Sequence, residues 1–303
     1  MNLYIVLALL SAVSMASSGV IARFSAIAPA ELTFYRLFIG ALLLLVLLLV
    51  SGRLAQLKNR PDRRMLLNGA LLAAFMLAFL QAIQFISLAN AIMLVYLAPA
   101  LSAVVAHFYF AERLDLPAVS LIVLSLFGFA MLQEFRLDLV LDASQLPGLL
   151  FGLLSLLTYS GFLLANRHSG RSSSPLQRAF YQLLIGACCV LPFLSDLPVP
   201  SGEQWLWAGL AGLFPGCLAI YFAIQALEHL PTRVFGTLAY IEPVAVILAG
   251  WLFFAEPLSL LQISGVACIL LAGFMQSNQV KQQRLIASAK ADNQSINTGS
   301  AHS

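Results

Sequence analysis

The sequence predicts an all-α membrane protein: ten transmembrane helices arranged as two inverted five-helix repeats. Composition is the first observation behind this. Hydrophobic residues make up 61% of the 303-residue chain and charged residues 10%, with a mean hydropathy of +0.92. A soluble domain holds roughly 45–50% apolar and about 25% charged residues. A water-soluble core this apolar would have no polar shell to cover it. Internal repetition is the second. YLAPALSAVVAHFYFAERL (Tyr96–Leu114) returns as YIEPVAVILAGWLFFAEPL (Tyr240–Leu258), at an ungapped offset of 144 residues and with six of 19 positions identical. Matched leucines alone would mean little, but the shared Tyr, Pro and Phe-Ala-Glu stand at fixed spacing. At the same offset LLSAVSMASSGVIAR (Leu9–Arg23) lies over LLSLLTYSGFLLANR (Leu153–Arg167). At offset 146, FYRLFIGALLLL (Phe34–Leu45) lies over FYQLLIGACCVL (Phe180–Leu191), with seven of twelve identical. One unit is used twice.

Charge placement is the third observation. A span needs about 20 mainly apolar residues, and the stretches that qualify are 3–23, 32–51, 66–87, 90–111, 116–133, 147–166, 176–195, 204–226, 233–254 and 258–276. With the N-terminus on the cytoplasmic side, 13 of the 16 Lys and Arg residues fall in cytoplasmic segments. Arg23 and Arg136 lie outside and Arg36 lies within a span. Basic residues in short loops set orientation, so both termini are expected in the cytoplasm. Five spans per repeat is an odd number, so the second copy enters the bilayer upside down. Loop 52–65 carries five bases, whereas its repeat partner near 196–203 carries none, only Asp196 and Glu203.

Taken in order, the first span has no basic segment before it and matches an internal segment, so it reads as a retained helix rather than a cleaved signal. The third and fourth spans run together around Ala89-Asn90-Ala91, and the repeat helps to separate them. The first repeat then covers 3–134 and the second 147–276. Residues 277–303 are rich in Gln, Ser, Asn and Ala without apolar periodicity, and read as a disordered cytoplasmic tail. Cys188, Cys189, Cys217 and Cys268 lie in apolar runs without metal-ligand or disulfide spacing. No cofactor or metal is indicated. The net charge of +3 is no argument for nucleic acid.

Polar side chains within spans are costly and often functional, but Ser, Thr and Asn also serve as helix–helix glue. Ser11, Ser14 and Ser18 share one face of the first span and read as close packing or cavity lining. Ser155, Thr158, Tyr159 and Asn166 share one face of the sixth; the larger Tyr159 and Asn166 favour lining. Gln81 and Gln84 share a face of the third span. Tyr221, Gln225 and Glu228 share a face of the eighth. The amides of Gln84 and Gln225 suit a substrate amine or carboxylate, or an interhelical hydrogen bond. Glu242 is the sharpest single residue: it lies beside Pro243 inside the ninth span, and its repeat partner is Ala98. A carboxylate there can bind a cationic group, carry a coupling proton, or simply bond neighbouring helix donors. Tyr240 and Glu242 are about 200° apart on a helix, so both cannot face one cavity equally. Arg36 reads as a snorkelling side chain or a partner of Glu31, or else as an anion-attracting charge at the outer mouth. Glu112 and Glu256 are expected to mark span ends and fix loops, and His107 to pack.

These features, with Pro29-Ala-Glu-x-x-x-Tyr-Arg at the start of the second span, resemble the EamA family of the drug/metabolite transporter superfamily. The resemblance covers essentially the first span to the tenth. It implies a bacterial inner-membrane carrier for amino acids, amines, sugars or other small metabolites, often working outward. It also implies a cavity formed largely by spans one, three, four, six, eight and nine, here Gln84, Tyr96, Tyr159, Tyr221, Gln225, Tyr240 and Glu242.

The expected function is a secondary transporter, a small-metabolite exporter working by alternating access across the lipid bilayer, with proton coupling through Glu242 as an option. Pro99 and Pro243 are the expected bending points. The competing readings are a flippase for a lipid-linked metabolite and a non-transporting membrane scaffold. A membrane enzyme would need a nucleophile–base or metal constellation, and the sequence offers no such cluster.

Overall fold

The computed structural model describes residues 3–58, 61–136, 144–168, 173–194 and 199–299, and side-chain surroundings up to residue 282. The first repeat contains α1 (Leu3–Ser25), α2 (Pro29–Val50), α3 (Arg63–Ala82), α4 (Leu88–Val95), α5 (Ala98–Tyr109) and α6 (Leu116–Leu132). The second contains α7 (Leu146–Arg167), α8 (Pro175–Val190), α9 (Gln204–Ala211), a π-helical segment (Gly212–Leu218), α10 (Ala219–His229), α11 (Thr232–Ala239), α12 (Ile241–Phe254) and α13 (Leu260–Gly299). Proline opens several of these helices, where its missing N–H costs nothing: Pro29 for α2, Pro117 for α6, Pro147 for α7 and Pro175 for α8. Ser87, Asp115 and Ser174 cap α4, α6 and α8 by accepting from Asn90 N, Ala118 N and Gln177 N.

Among the described residues, nine spans are helical stretches long and apolar enough to cross a bilayer, counting α4 with α5, α9 with α10 and α11 with α12. The tenth, α6, is shorter at 17 residues. Large apolar side chains such as Leu116, Val50 and Leu260 stand exposed on the outside, as a lipid-facing surface requires. The turn between the third and fourth spans falls at 83–87, earlier than the Ala89–Ala91 junction expected. The last helix runs on to Gly299. Residues 278–298 contain neither Gly nor Pro to stop it.

The two repeats interleave. α1 packs on α10, α11 and α12 of the other repeat, and α7 packs on α3, α4 and α5 in the symmetry-related way. α2 packs on α8, α6 on α13, and α5 on α11. Lipid offers no hydrophobic drive for helices to associate, so close backbone approach and interhelical hydrogen bonds carry the contacts. A Cβ on Gly265 would meet the Gly128 carbonyl oxygen at 2.5 Å, which is why α6 and α13 can touch backbone to backbone. The Ser11 hydroxyl donates to the Ala219 carbonyl at 2.8 Å, and its repeat mate Ser155 donates to the Phe75 carbonyl at 3.3 Å. Ala219 and Phe75 are themselves 144 residues apart, so the same bond is made twice across the pseudo-two-fold.

Three spans are not continuous α-helices. The fourth breaks at Tyr96-Leu97 and the ninth at Tyr240. In each, a proline three residues on (Pro99, Pro243) lacks the N–H that would continue the ladder. In the eighth, Pro215 sits inside the π-helical turn. A Cβ on Gly216 there would meet the Arg36 carbonyl oxygen at 2.4 Å, so glycine lets this segment lie directly on α2.

Candidate functional site

The two broken spans bring their breaks together. The Tyr240 hydroxyl donates to the Tyr96 carbonyl at 2.6 Å, and both rings pack around Phe129. Tyr240 is wholly buried. Tyr96 is only partly buried, and its phenol lies within interaction range of the Glu242 carboxylate. Glu242, two residues past the second break, thus sits beside a tyrosine from the first repeat.

Arg36 completes the cluster from α2. It makes no ion pair with Glu31 and does not reach for the outer surface. Its Nε donates to the Pro215 carbonyl at 3.2 Å and a terminal nitrogen approaches Met15 Sδ at 2.9 Å. The π-helical turn and α1 therefore hold the guanidinium inside the bundle. Arg36, Tyr159 and Glu242 act on one another electrostatically, although Arg36 and Glu242 do not form a direct salt bridge. Tyr159 stacks on Phe75 with ring centroids 4.5 Å apart. Arg36, Tyr96, Tyr159 and Glu242 all remain partly accessible. An unlike-charged pair that is close but not joined, ringed by phenols, can take a ligand between its poles: an amine at Glu242 and an anionic group at Arg36.

The remaining candidates lie elsewhere. Tyr221 and Gln225 stand one turn apart on α10, Tyr221 within reach of the charge of Arg53, and both are partly accessible. They lie toward the face where α1 begins, called the near face below. Gln84 is exposed in the turn after α3, toward the opposite, far face. The structure does not bring it to the Glu242 cluster; α3 ends at Ala82, short of the 66–87 expected. Asn166 is spent on packing: its Nδ2 donates to the Phe162 carbonyl at 3.0 Å, and its Oδ1 accepts from Gln182 Nε2 at 2.8 Å. A far-face crevice of about 100 Å3 is lined by residues that include Glu31 and Tyr35 but none of the Glu242 cluster.

Sequence reasoning missed Arg36 as part of this cluster. The signal was present: Gln182 occupies the matching place in the second repeat and is paired with Asn166, whereas Ala22 stands where a repeat-equivalent partner for Arg36 would be. Pro215 flanked by Gly212 and Gly216 was the other clue, as a proline inside a span must open its ladder.

A family model, that of the EamA-like transporter family, matches residues 2–133 and 146–277. An uncharacterized transporter of Archaeoglobus fulgidus is 28% identical over 261 residues, 86% of this chain and 91% of its own length. The pseudopaline exporter CntI of Pseudomonas aeruginosa is 27% identical, over 80% of this chain and 86% of its own. The threonine/homoserine exporter RhtA of Escherichia coli is 26% identical, over 93% of this chain and 94% of its own. A crystal structure of a protein 20% identical to this one superposes with a TM-score of 0.80, covering 92% of this chain and 98% of that one, which is the same fold.

Proposed function

We propose, from the premise that this chain belongs to the EamA-like transporter family, that it exports small zwitterionic or amine metabolites such as amino acids by alternating access. It would sit in the inner membrane with both termini in the cytoplasm, the orientation that the basic loops favour. The observation that carries the reading is Glu242 at the break of the ninth span, beside the Tyr96 phenol at the break of the fourth and within electrostatic reach of Arg36. Broken helices at a repeat interface near the midplane are where secondary transporters bind substrate. Glu242 takes the substrate amine and Arg36 the carboxylate. Tyr96 and Tyr159 wall the site, Tyr221 and Gln225 line the path to the near face, and Gln84 stands at the far end. Tyr240 supports Tyr96 from behind. The exporters of threonine/homoserine and of pseudopaline among the relatives favour an outward direction and a substrate carrying both amine and carboxylate.

Glu242 is also the group that would carry a coupling proton. Purified protein in proteoliposomes loaded with the candidate amino acid, under an inward proton gradient, tests this. Wild type moves the solute with the gradient and Glu242→Gln loses the gradient dependence. Gradient-driven transport that survives Glu242→Gln unchanged contradicts the coupling role.

A further inference from the structure

The Phe-Ala-Glu motif occurs once per repeat, and the site described above uses neither copy. At the near face, Arg167 Nε donates to Glu112 Oε1 at 2.6 Å. At the far face, an Arg23 terminal nitrogen donates to Glu256 Oε1 at 2.5 Å. Arg23 and Arg167 are repeat mates, as are Glu112 and Glu256. Each pair therefore joins the end of one repeat's first span to the end of the other repeat's fourth or ninth span. An aromatic pair repeats beside each: Phe110 stacks on His168 at the near face, and their mates Phe254 and Phe24 stack at the far face. The residue before each glutamate, Ala111 or Ala255, has φ of 55° or 52°. A left-handed alanine is unfavourable by roughly 1–2 kcal/mol, and here it turns each glutamate back toward the arginine of the other repeat.

The two copies differ in how firmly they are held. Glu112 also accepts from Thr232 N at 2.7 Å, and Arg167 also donates to the Glu228 carbonyl at 3.1 Å. Glu228 in turn pairs with buried Arg178. The near-face side chains are 24% and 13% exposed, against 58% and 53% at the far face. Arg23 has otherwise the Phe254 ring, 4.1 Å from its guanidinium carbon.

We propose that these two repeat-swapped latches are the gates of the central site: the near latch is the locked one in this conformation, the far latch the one that opens, and transport requires their roles to exchange. Inverted repeats make this economical, since one rocking motion that loosens a contact on one face tightens its mate on the other. The inference rests on the carrier reading above.

The test needs no known substrate. With the four native cysteines replaced by alanine, Tyr159→Cys is labelled with an uncharged, membrane-impermeant maleimide in right-side-out and inside-out vesicles. Removing a charged hydrogen-bonding partner of the locked latch, by Glu112→Gln or Arg167→Gln, should raise near-face labelling roughly tenfold. The double variant should label no faster than either single. Glu256→Gln, at an exposed pair, should raise far-face labelling about threefold at most. Should the latch variants fail to fold, salt serves instead. Raising it from about 0.05 M to about 1 M shortens the Debye length to roughly 3 Å, and should speed far-face labelling while leaving the near face unchanged. Labelling that proceeds but ignores both the latch substitutions and salt overturns the gates and leaves the carrier reading standing. A Tyr159→Cys that reacts from neither face under any of these conditions overturns both.

Discussion

Tyr96 and Tyr240 occupy the same place in their repeats, each closing the first half of a broken span. Tyr240 is wholly buried and spends its hydroxyl on the Tyr96 carbonyl. Tyr96 is partly accessible, and its phenol lies within interaction range of Glu242. The difference follows from one position: two residues on, the second repeat has Glu242 and the first has Ala98. Arg36 and Gln182 repeat the lesson, since the Gln182 amide nitrogen donates to Asn166 while Arg36, with Ala22 where such a partner would stand, turns to the Pro215 carbonyl. Duplication supplied a symmetric frame of breaks and interhelical bonds. The chemistry arises where the copies diverge.

That contrast can be pushed to failure by making the copies alike. Ala98 is fully buried, and its carbonyl accepts from Ser102 at 2.6 Å and Ser160 at 3.2 Å. Ala98→Glu would bury a charge without a partner, which costs several kcal/mol. Little folded protein should survive detergent extraction, as size-exclusion profiles would show; a well-folded Ala98→Glu would mean that the two breaks are more alike than described. A milder pair of changes sharpens the same point. Tyr96→Phe removes the hydroxyl that faces Glu242 and the ligand and should weaken ligand affinity by roughly tenfold, with the melting temperature of the ligand-free protein hardly altered. Tyr240→Phe removes a buried bond to a backbone carbonyl. It should lower stability by about 1 kcal/mol, with a smaller effect on affinity. Calorimetric titration and thermal melts separate the two, and equal effects from both substitutions would erase the distinction.

The frame was legible in the sequence. Ungapped offsets of 144 residues brought Ser11 over Ser155, Tyr96 over Tyr240 and Glu112 over Glu256; the first and last pairs make mirrored contacts, and the tyrosines mark the two breaks. Glu242 stood out because a lone carboxylate inside a span is expensive. Arg36 did not, because sequence places a side chain on a helix but not in a rotamer. An arginine one turn from a helix end can snorkel outward or turn in, and partners from other spans, the Pro215 carbonyl and Met15 Sδ, decide it. Gln84 misled because an apolar run does not say where its helix stops: α3 ends at Ala82, and the amide falls in the turn. The latches were visible as a repeated motif, but the exchange of partners between repeats needs the fold.

The most direct test of Glu242 as the centre of the site is ligand-induced stabilisation. Purified protein is melted with amino acids, polyamines and sugars in turn, since a ligand bound only to the folded form at about 100 times its Kd adds roughly 2.7 kcal/mol. A zwitterion or amine should raise the melting temperature of wild type and of Glu256→Gln alike, and fail to raise that of Glu242→Gln. A full shift persisting in Glu242→Gln would contradict the account.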